Sequence, residues 1–545
     1  MQAFAHLLDR LILTPSRNGK IKLMVDYFAA TPDPARGWAL AAITRDLEIK
    51  AVKAGSIRKL IEDKMDPELF RLSYDYVGDM AETVSLVWPV DDARRANRPP
   101  PLEEVVEALQ DATRAQGERL VEGWLSDLDP TGRWALLKLV TGGLRIGVSA
   151  RLAKLALAEL GEVDVTDIEE IWHGLKPPYE PLFAWLTGEA DKPNPDIKAP
   201  FRPVMLAHPL VPKSDRDNPD AIDTALIRSD IFAAEWKWDG IRVQAVAEGG
   251  ERRLYTRTGD DISHTFPDVI AAMDFDAALD GELLVRSTDG RAAPFNDLQQ
   301  RLNRKTVSKK LIEDRPAFVR AYDLLQEGEE DLRALPFKAR RARLEAFTQT
   351  LSTDRFDLSD LVPFNSLDAL EQQRNAPPLP EIEGLMLKRW DSVYEVGRPK
   401  GPWFKWKRDP FLIDAVMMYA QRGHGKRSSM YSDFTFGVWR SIDGEDQLSP
   451  VGKAYFGFTD EELKQLDKFV RDNTIDRFGP VRAVTATPEE GLVLEVAFEG
   501  LQRSARHKSG LAMRFPRIHR IRWDKPTHEA DRLETLEAML DARDA

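Results

Sequence analysis

The residues Glu235-Trp236-Lys237-Trp238-Asp239-Gly240-Ile241-Arg242 bring together side chains suited to covalent chemistry. On a strand alternate residues share a face, so Glu235, Lys237 and Asp239 are expected to point together. Asp239-Gly240 then makes a tight turn, and Arg242 lies just beyond it. A lysine attacks phosphorus only as the free amine, so cations or desolvation must lower its pKa first. Arg242 and a bound metal ion are the groups expected to do this. A lone Lys-x-Asp-Gly match is more commonly an exposed lysine beside a hairpin turn, so other segments must decide.

The elements that would hold these residues change character along the chain. The first roughly 190 residues repeat apolar side chains near the helical period, as in Leu102–Leu109, Trp134–Val140 and Leu152–Leu160. Asp129-Pro130-Thr131-Gly132 reads as a helix–helix turn. The polar, proline-bearing stretch Gly188–Pro203 reads as an interdomain linker. Short strands follow. Gly240–Ala247 and Leu254–Thr258 form a hairpin closed by Glu248-Gly249-Gly250-Glu251, and Ala278–Val285, Ala317–Leu324 and Gly384–Arg389 have similar character. With helical stretches such as Phe337–Phe347 between them, this is an α+β region. From Asp409 onward strands dominate again, including Asp414–Tyr419, Phe434–Arg440 and Leu492–Phe498, and a small β-barrel is expected.

Lys237 also heads an ordered series. After Lys237–Arg242 come Thr256-Arg257-Thr258-Gly259, Leu279-Asp280-Gly281-Glu282, Ala321-Tyr322-Asp323 and Glu383-Gly384-Leu385-Met386-Leu387-Lys388. Trp403-Phe404-Lys405-Trp406-Lys407 follows, and then Arg514-Phe515-Pro516-Arg517 through Arg522-Trp523-Asp524-Lys525. The series resembles the six motifs of the covalent nucleotidyltransferases, the superfamily of ATP-dependent DNA ligases, RNA ligases and capping enzymes. Thr141–Ser149 (TGGLRIGVS) is similar to a DNA-binding segment of the replicative-type eukaryotic and larger archaeal and bacterial ligases. Pro203-Val204-Met205-Leu206-Ala207 resembles the opening of their adenylation domain. The resemblance spans nearly the whole chain. It implies a helical DNA-binding domain over residues 1–190, an α+β adenylation domain over 200–408 and an OB-fold β-barrel over 409–545.

The resemblance also implies roles. Lys237 would take AMP from ATP as a lysyl adenylate, and AMP would pass to the 5′-phosphate of nicked duplex DNA before the 3′-hydroxyl seals the strand. Glu235, Arg242, Arg257, Glu282, Tyr322, Lys388, Arg398, Lys405, Lys407 and Arg517 would contact the nucleotide, with Tyr322 stacking on the purine. At the position where the family carries a basic residue, six before Lys405, this chain has Pro399, and Arg398 is one place earlier. Glu282 and Glu383 are hard oxygen ligands suited to Mg2+, which keeps several waters. Lys388, Lys405 and Lys407 would place positive charge on the α-phosphate, where charge builds up in the transition state. Gly142, Gly143 and Gly147 would let backbone amides approach DNA phosphates. Asp409, directly after the fifth motif, would be the hinge on which the barrel closes over ATP.

Composition sets the outer limits. With 43% hydrophobic and 31% charged residues the chain can bury cores of normal size. No apolar run is long enough to span a membrane, and the N-terminus reads as an amphipathic helix without a cleavage site. The absence of cysteine excludes disulfides, cysteine-ligated zinc and thiol catalysis, and agrees with a cytoplasmic setting. A net charge of −13 argues at first against a nucleic-acid partner. Yet Arg503–Arg522 holds seven Lys/Arg residues (503, 506, 508, 514, 517, 520, 522) and no acid, and Arg398–Arg408 holds five beside Trp403 and Trp406. Such clusters are the footprint expected of phosphate contacts. A monomer encircling DNA is expected, with separate repair or replication proteins as partners. The rival readings are a capping-type guanylyltransferase or RNA ligase, neither expected to carry the N-terminal segment, and a DNA-binding module with a dead catalytic core.

Overall fold

The N-terminal periodicity becomes helices, among them Gln2–Leu13, Arg17–Ala30, Leu102–Asp111, Pro130–Thr141 and Ala150–Gly161. The expected turn at 129–132 is instead the start of a helix. Asp129 caps it by accepting from the Gly132 amide at 2.7 Å, and Pro130 occupies the first turn, where no amide is needed. Residues 1–77, 79–89, 98–194, 198–210, 224–302, 304, 306–423, 429–504 and 507–544 are described in this computed structural model. Part of the expected linker and Arg506 of the basic run lie outside them. Among the described residues no helix is long and apolar enough to cross a membrane.

Contacts divide the chain into two units: one of Met1–Val165, Lys176–Pro193 and Pro410–Ala545, the other of Thr166–Leu175 and Asn194–Asp409. The second unit holds two sheets. The first contains β1 (His208–Pro209), β2 (Phe232–Trp238), β9 (Ile382–Arg389) and β10 (Trp403–Lys407), in the order β1-β10-β9-β2. The second contains β3 (Ile241–Glu248), β4 (Glu251–Thr256), β5 (Ala277–Val285), β6 (Ala317–Glu327), β7 (Glu330–Asp331) and β8 (Phe356–Leu358). Its order is β4-β3-β5-β6-β7, with β8 parallel to β6. At Asp239-Gly240, where a tight turn was expected, the chain leaves one sheet for the other.

Alternation gives the first sheet two different faces. Phe232, Ala234, Leu385, Leu387, Phe404 and Trp406 pack into one apolar cluster. Glu235, Lys237, Met386, Lys388, Lys405 and Lys407 occupy the intervening positions. In the second sheet Val243, Ala245, Leu279, Leu283, Val319 and Leu324 build the core with helix Phe337–Thr348.

In the C-terminal part of the first unit, β11 (Phe411–Arg422), β12 (Tyr431–Ile442), β13 (Glu445–Ala454), β14 (Thr474–Phe478) and β15 (Val481–Val484) share a sheet with β16 (Val493–Phe498) and β19 (Arg517–Arg522). β17 (Gly500–Arg503) and β18 (Leu511–Arg514) form a separate ladder. β11 carries β12 on one edge and both β16 and β15 along the other, with an irregularity at Met417/Tyr419. That long shared strand curls the sheet into the half-barrel of an OB-fold-type domain. Helix Asp460–Asp472, started by a Thr459/Glu462 capping box, packs Leu463, Leu466 and Val470 into its core.

Candidate active site

The two sheets of the second unit enclose a cleft of about 430 Å³. Glu235, Lys237, Arg242, Arg257, Glu282, Tyr322, Glu383, Lys388, Arg398 and Lys405 all line it, with Trp236, Trp238, Met386 and Trp403 among the apolar wall residues. Most of the expected nucleotide-binding residues are thus brought together, Arg398 included. Lys407 is tied to the cleft through Glu383, 3.0 Å away. Arg517 starts β19, in the other unit, and is not among the lining residues.

Lys237 donates to the Glu383 carboxylate, which also pairs with Lys407. Simple alternation would put Glu383 on the same face as Leu385 and Leu387, away from both lysines. A bulge reverses this. The register passes from Lys237↔Gly384 to Trp238↔Ile382, leaving Glu383 as the extra residue. Gly384 lies opposite both Lys237 and Lys407. Its φ of +149° and the 2.3 Å that would separate a Cβ from the Trp406 carbonyl both require glycine. Tyr322 is re-aimed in the same way, as the unopposed residue where Asp280↔Asp323 gives way to Gly281↔Ala321.

Glu282 stands out by lacking partners. Among the described residues it takes part in no hydrogen bond or ion pair. Burial in the cleft pushes its carboxyl up to about 8, with nearby Lys237 opposing and Glu383 adding to the rise. Glu383 is held below the usual carboxylate range, because Lys237 and Lys407 outweigh its burial. Burial lowers Lys405, helped by Arg398, Lys237 and Lys407. A partnerless carboxylate facing a second one suits a hard divalent cation that keeps most of its waters. Among the described residues there is no cluster of three or more acidic or histidine side chains able to hold a metal alone.

Two expected roles need correction. Arg242 does not stand free beside Lys237. Its guanidinium grips Asp280 at 3.0 and 2.6 Å and donates to the Met205 carbonyl and the Tyr394 hydroxyl. Lys388 does not offer an open ammonium to a phosphate. It pairs with Glu235 at 2.5 Å and lies over the rings of Tyr322, Phe337 and Trp403 at 4.5, 4.9 and 4.8 Å. The reason is the same for both: a charge this far from water must have a fixed partner. Arg341 completes the set by donating to Glu235 at 3.0 Å and to the Ser359 carbonyl. The sequence reading missed Arg341 and Asp280, since nothing in a helix-borne arginine or a strand aspartate identifies its distant partner.

Arg257 lies on an exposed turn at the cleft rim, held by hydrogen bonds among Thr256, Thr258 and Asp260. In the helical part Gly142 and Gly147 have φ of +68° and +65°, and the buried Lys20 donates to the carbonyls of Ile146 and Gly147.

Three family models match successive parts of the chain. The model of the DNA ligase N terminus matches residues 1–158, that of the ATP dependent DNA ligase domain residues 216–407, and that of the ATP dependent DNA ligase C terminal region residues 427–525. The chain is 32% identical over 430 residues to a probable DNA ligase of Koribacter versatilis (strain Ellin345), covering 74% of this chain and 71% of that protein. It is 28% identical over 571 residues to DNA ligase 1 of Korarchaeum cryptofilum (strain OPF8), covering 99% and 98%. The solved structure titled Pmar-Lig_PreS3 superposes with a TM-score of 0.58 at 15% identity, over 95% of this chain and 99% of that one.

Proposed function

The chain belongs to the ATP-dependent DNA ligases, and from that membership we propose that Lys237 is the residue that carries AMP. Enzymes of this family seal nicks between 3′-hydroxyl and 5′-phosphate ends through an enzyme adenylate and an adenylated DNA. The observation that carries the assignment is Lys237 on the floor of the cleft, on one face with Lys405 and Lys407.

In this reading the Lys237 amine attacks the α-phosphate of ATP and pyrophosphate leaves. Lys405 and Lys407 sit where the negative charge of the transition state develops. Tyr322 and Met386 bound the purine, and Glu235, fixed by Lys388 and Arg341, offers it a hydrogen-bond acceptor. Arg257 and Arg398 lie at the rim for the sugar and phosphates. Glu282 and Glu383 would hold Mg2+, which would supply positive charge at the phosphates. Arg517 and the Arg522–Lys525 segment serve the pyrophosphate when the barrel closes about Asp409, and the Gly142–Ser149 loop with the basic C-terminal segment grips nicked DNA. A cytoplasmic monomer with three functional parts, 1–190, 200–408 and 409–545, completes the proposal.

The test uses ATP and GTP labelled at the α-phosphate. Label should reach the protein from ATP, be absent in Lys237→Ala, and leave Lys237→Ala able to seal a nick that is already adenylated. Label on the Lys237→Ala protein, or transfer from GTP alone, overturns the assignment.

A further inference from the structure

We propose that His173 is a positioning residue for Arg257, acting through the turn that carries it. This rests on the cleft-rim role given to Arg257 above. Thr166–Leu175 groups with the second unit although the residues flanking it, through Val165 and from Lys176, group with the first. Ten residues of the helical part are thus committed to the nucleotide-binding unit, and His173 is their point of contact with the Arg257 turn.

The contact is close. A Cβ added to Gly259 would lie 2.7 Å from both Cε1 and Nε2 of His173, so the imidazole packs directly on the glycine backbone. Gly259 has φ of +87°, a conformation other residues rarely adopt. Two independent demands therefore meet at one glycine: the bend that points Arg257 to the rim and the approach of the ring. His173 also packs against Phe201 and Tyr255, with ring centroids 5.2 and 5.4 Å away. Tyr255 is anchored in turn by its hydroxyl, which donates to the Ala199 carbonyl at 2.9 Å.

The hydrogen bonds inside the turn set its shape but not its place. Asp260 accepts from Thr256 and Thr258, yet all three residues belong to the turn itself. The packing of His173, Phe201 and Tyr255 fixes the turn to neighbouring structure on this side. Without the imidazole the turn keeps its internal bonds and loses a wall, so Arg257 samples positions in which it no longer reaches the bound nucleotide. A defect of that kind weakens ATP binding more than it slows the chemical step.

The experiment is a double-mutant cycle in the full chain with His173→Ala, Arg257→Ala and the pair, read as the ATP concentration dependence of lysyl-AMP formation. Rates are normalised to the fraction of protein that can be adenylated, so unfolded material does not enter. His173→Ala should raise the KM for ATP about fivefold with kcat within about twofold, and add less than about twofold in the Arg257→Ala background. An unchanged KM in His173→Ala overturns the proposal, and so does a full, additive penalty in the double variant. If Arg257→Ala alone leaves KM unchanged, the rim role of Arg257 falls, and the proposal with it.

Discussion

Glu282 shows how one side chain can weaken the fold and still suit the metal-holding role proposed for it. Its carboxyl is raised to about 8 from an ordinary value of 4.5, so the folded protein holds that proton more tightly than the unfolded chain does. The stability this contributes is complete below the ordinary value and is lost as pH rises through about 8. Without divalent cations at pH 8.5, Glu282→Gln should therefore melt about 2 °C higher than the parent; assayed separately with Mg2+ present, its lysyl-AMP formation should fall at least roughly tenfold. Thermal scans and labelled ATP check the two halves; a lower melting temperature would contradict the burial argument. Arg341 predicts the opposite outcome. Arg341→Met leaves the Glu235–Lys388 pair short of one buried cation and should cost about 3 kcal/mol in urea unfolding.

Two strand irregularities explain why the elements were easier to read than the site. Strand positions, the sheet face of Lys405 and Lys407, and helix Phe337–Thr348 follow from apolar periodicity, which local sequence records directly. Glu383 and Tyr322 face the cleft only because each is the extra residue of a bulge. A bulge depends on the partner strand's register, which lies far away in sequence. For the same reason the tight turn expected at Asp239-Gly240 did not reveal that it passes between sheets, and the buried partners of Arg242 and Lys388 were invisible. Gly384→Ala tests the bulge. Its methyl would press on the Trp406 carbonyl, so β9 and β10 must part. Stability should fall by about 2 kcal/mol and lysyl-AMP formation by roughly tenfold or more, as the Glu383 bridge between Lys237 and Lys407 loses its alignment.

At the scale of the whole molecule, a chain of net charge −13 must bind DNA through local clusters. Raising salt from about 50 to 200 mM should therefore depress sealing at subsaturating nick by roughly tenfold or more. Lysyl-AMP formation, which needs no DNA, should change little; rate assays of each step at both salt levels decide it. Arg517→Ala should instead reduce lysyl-AMP formation more than sealing of an adenylated nick, and the reverse order would remove that residue from the pyrophosphate role. The pairing of β2 with β9 sets a further condition, on synthesis. Lys237 and its partner Glu383 are 146 positions apart, and Lys407 lies further still. A nascent chain that has passed Lys237 still has no opposing strand, no bridge and no cleft wall, and closing so long a loop is a late and slow step in folding. A chain that has not yet reached β9 and β10 therefore has no cleft in which an adenylate could form.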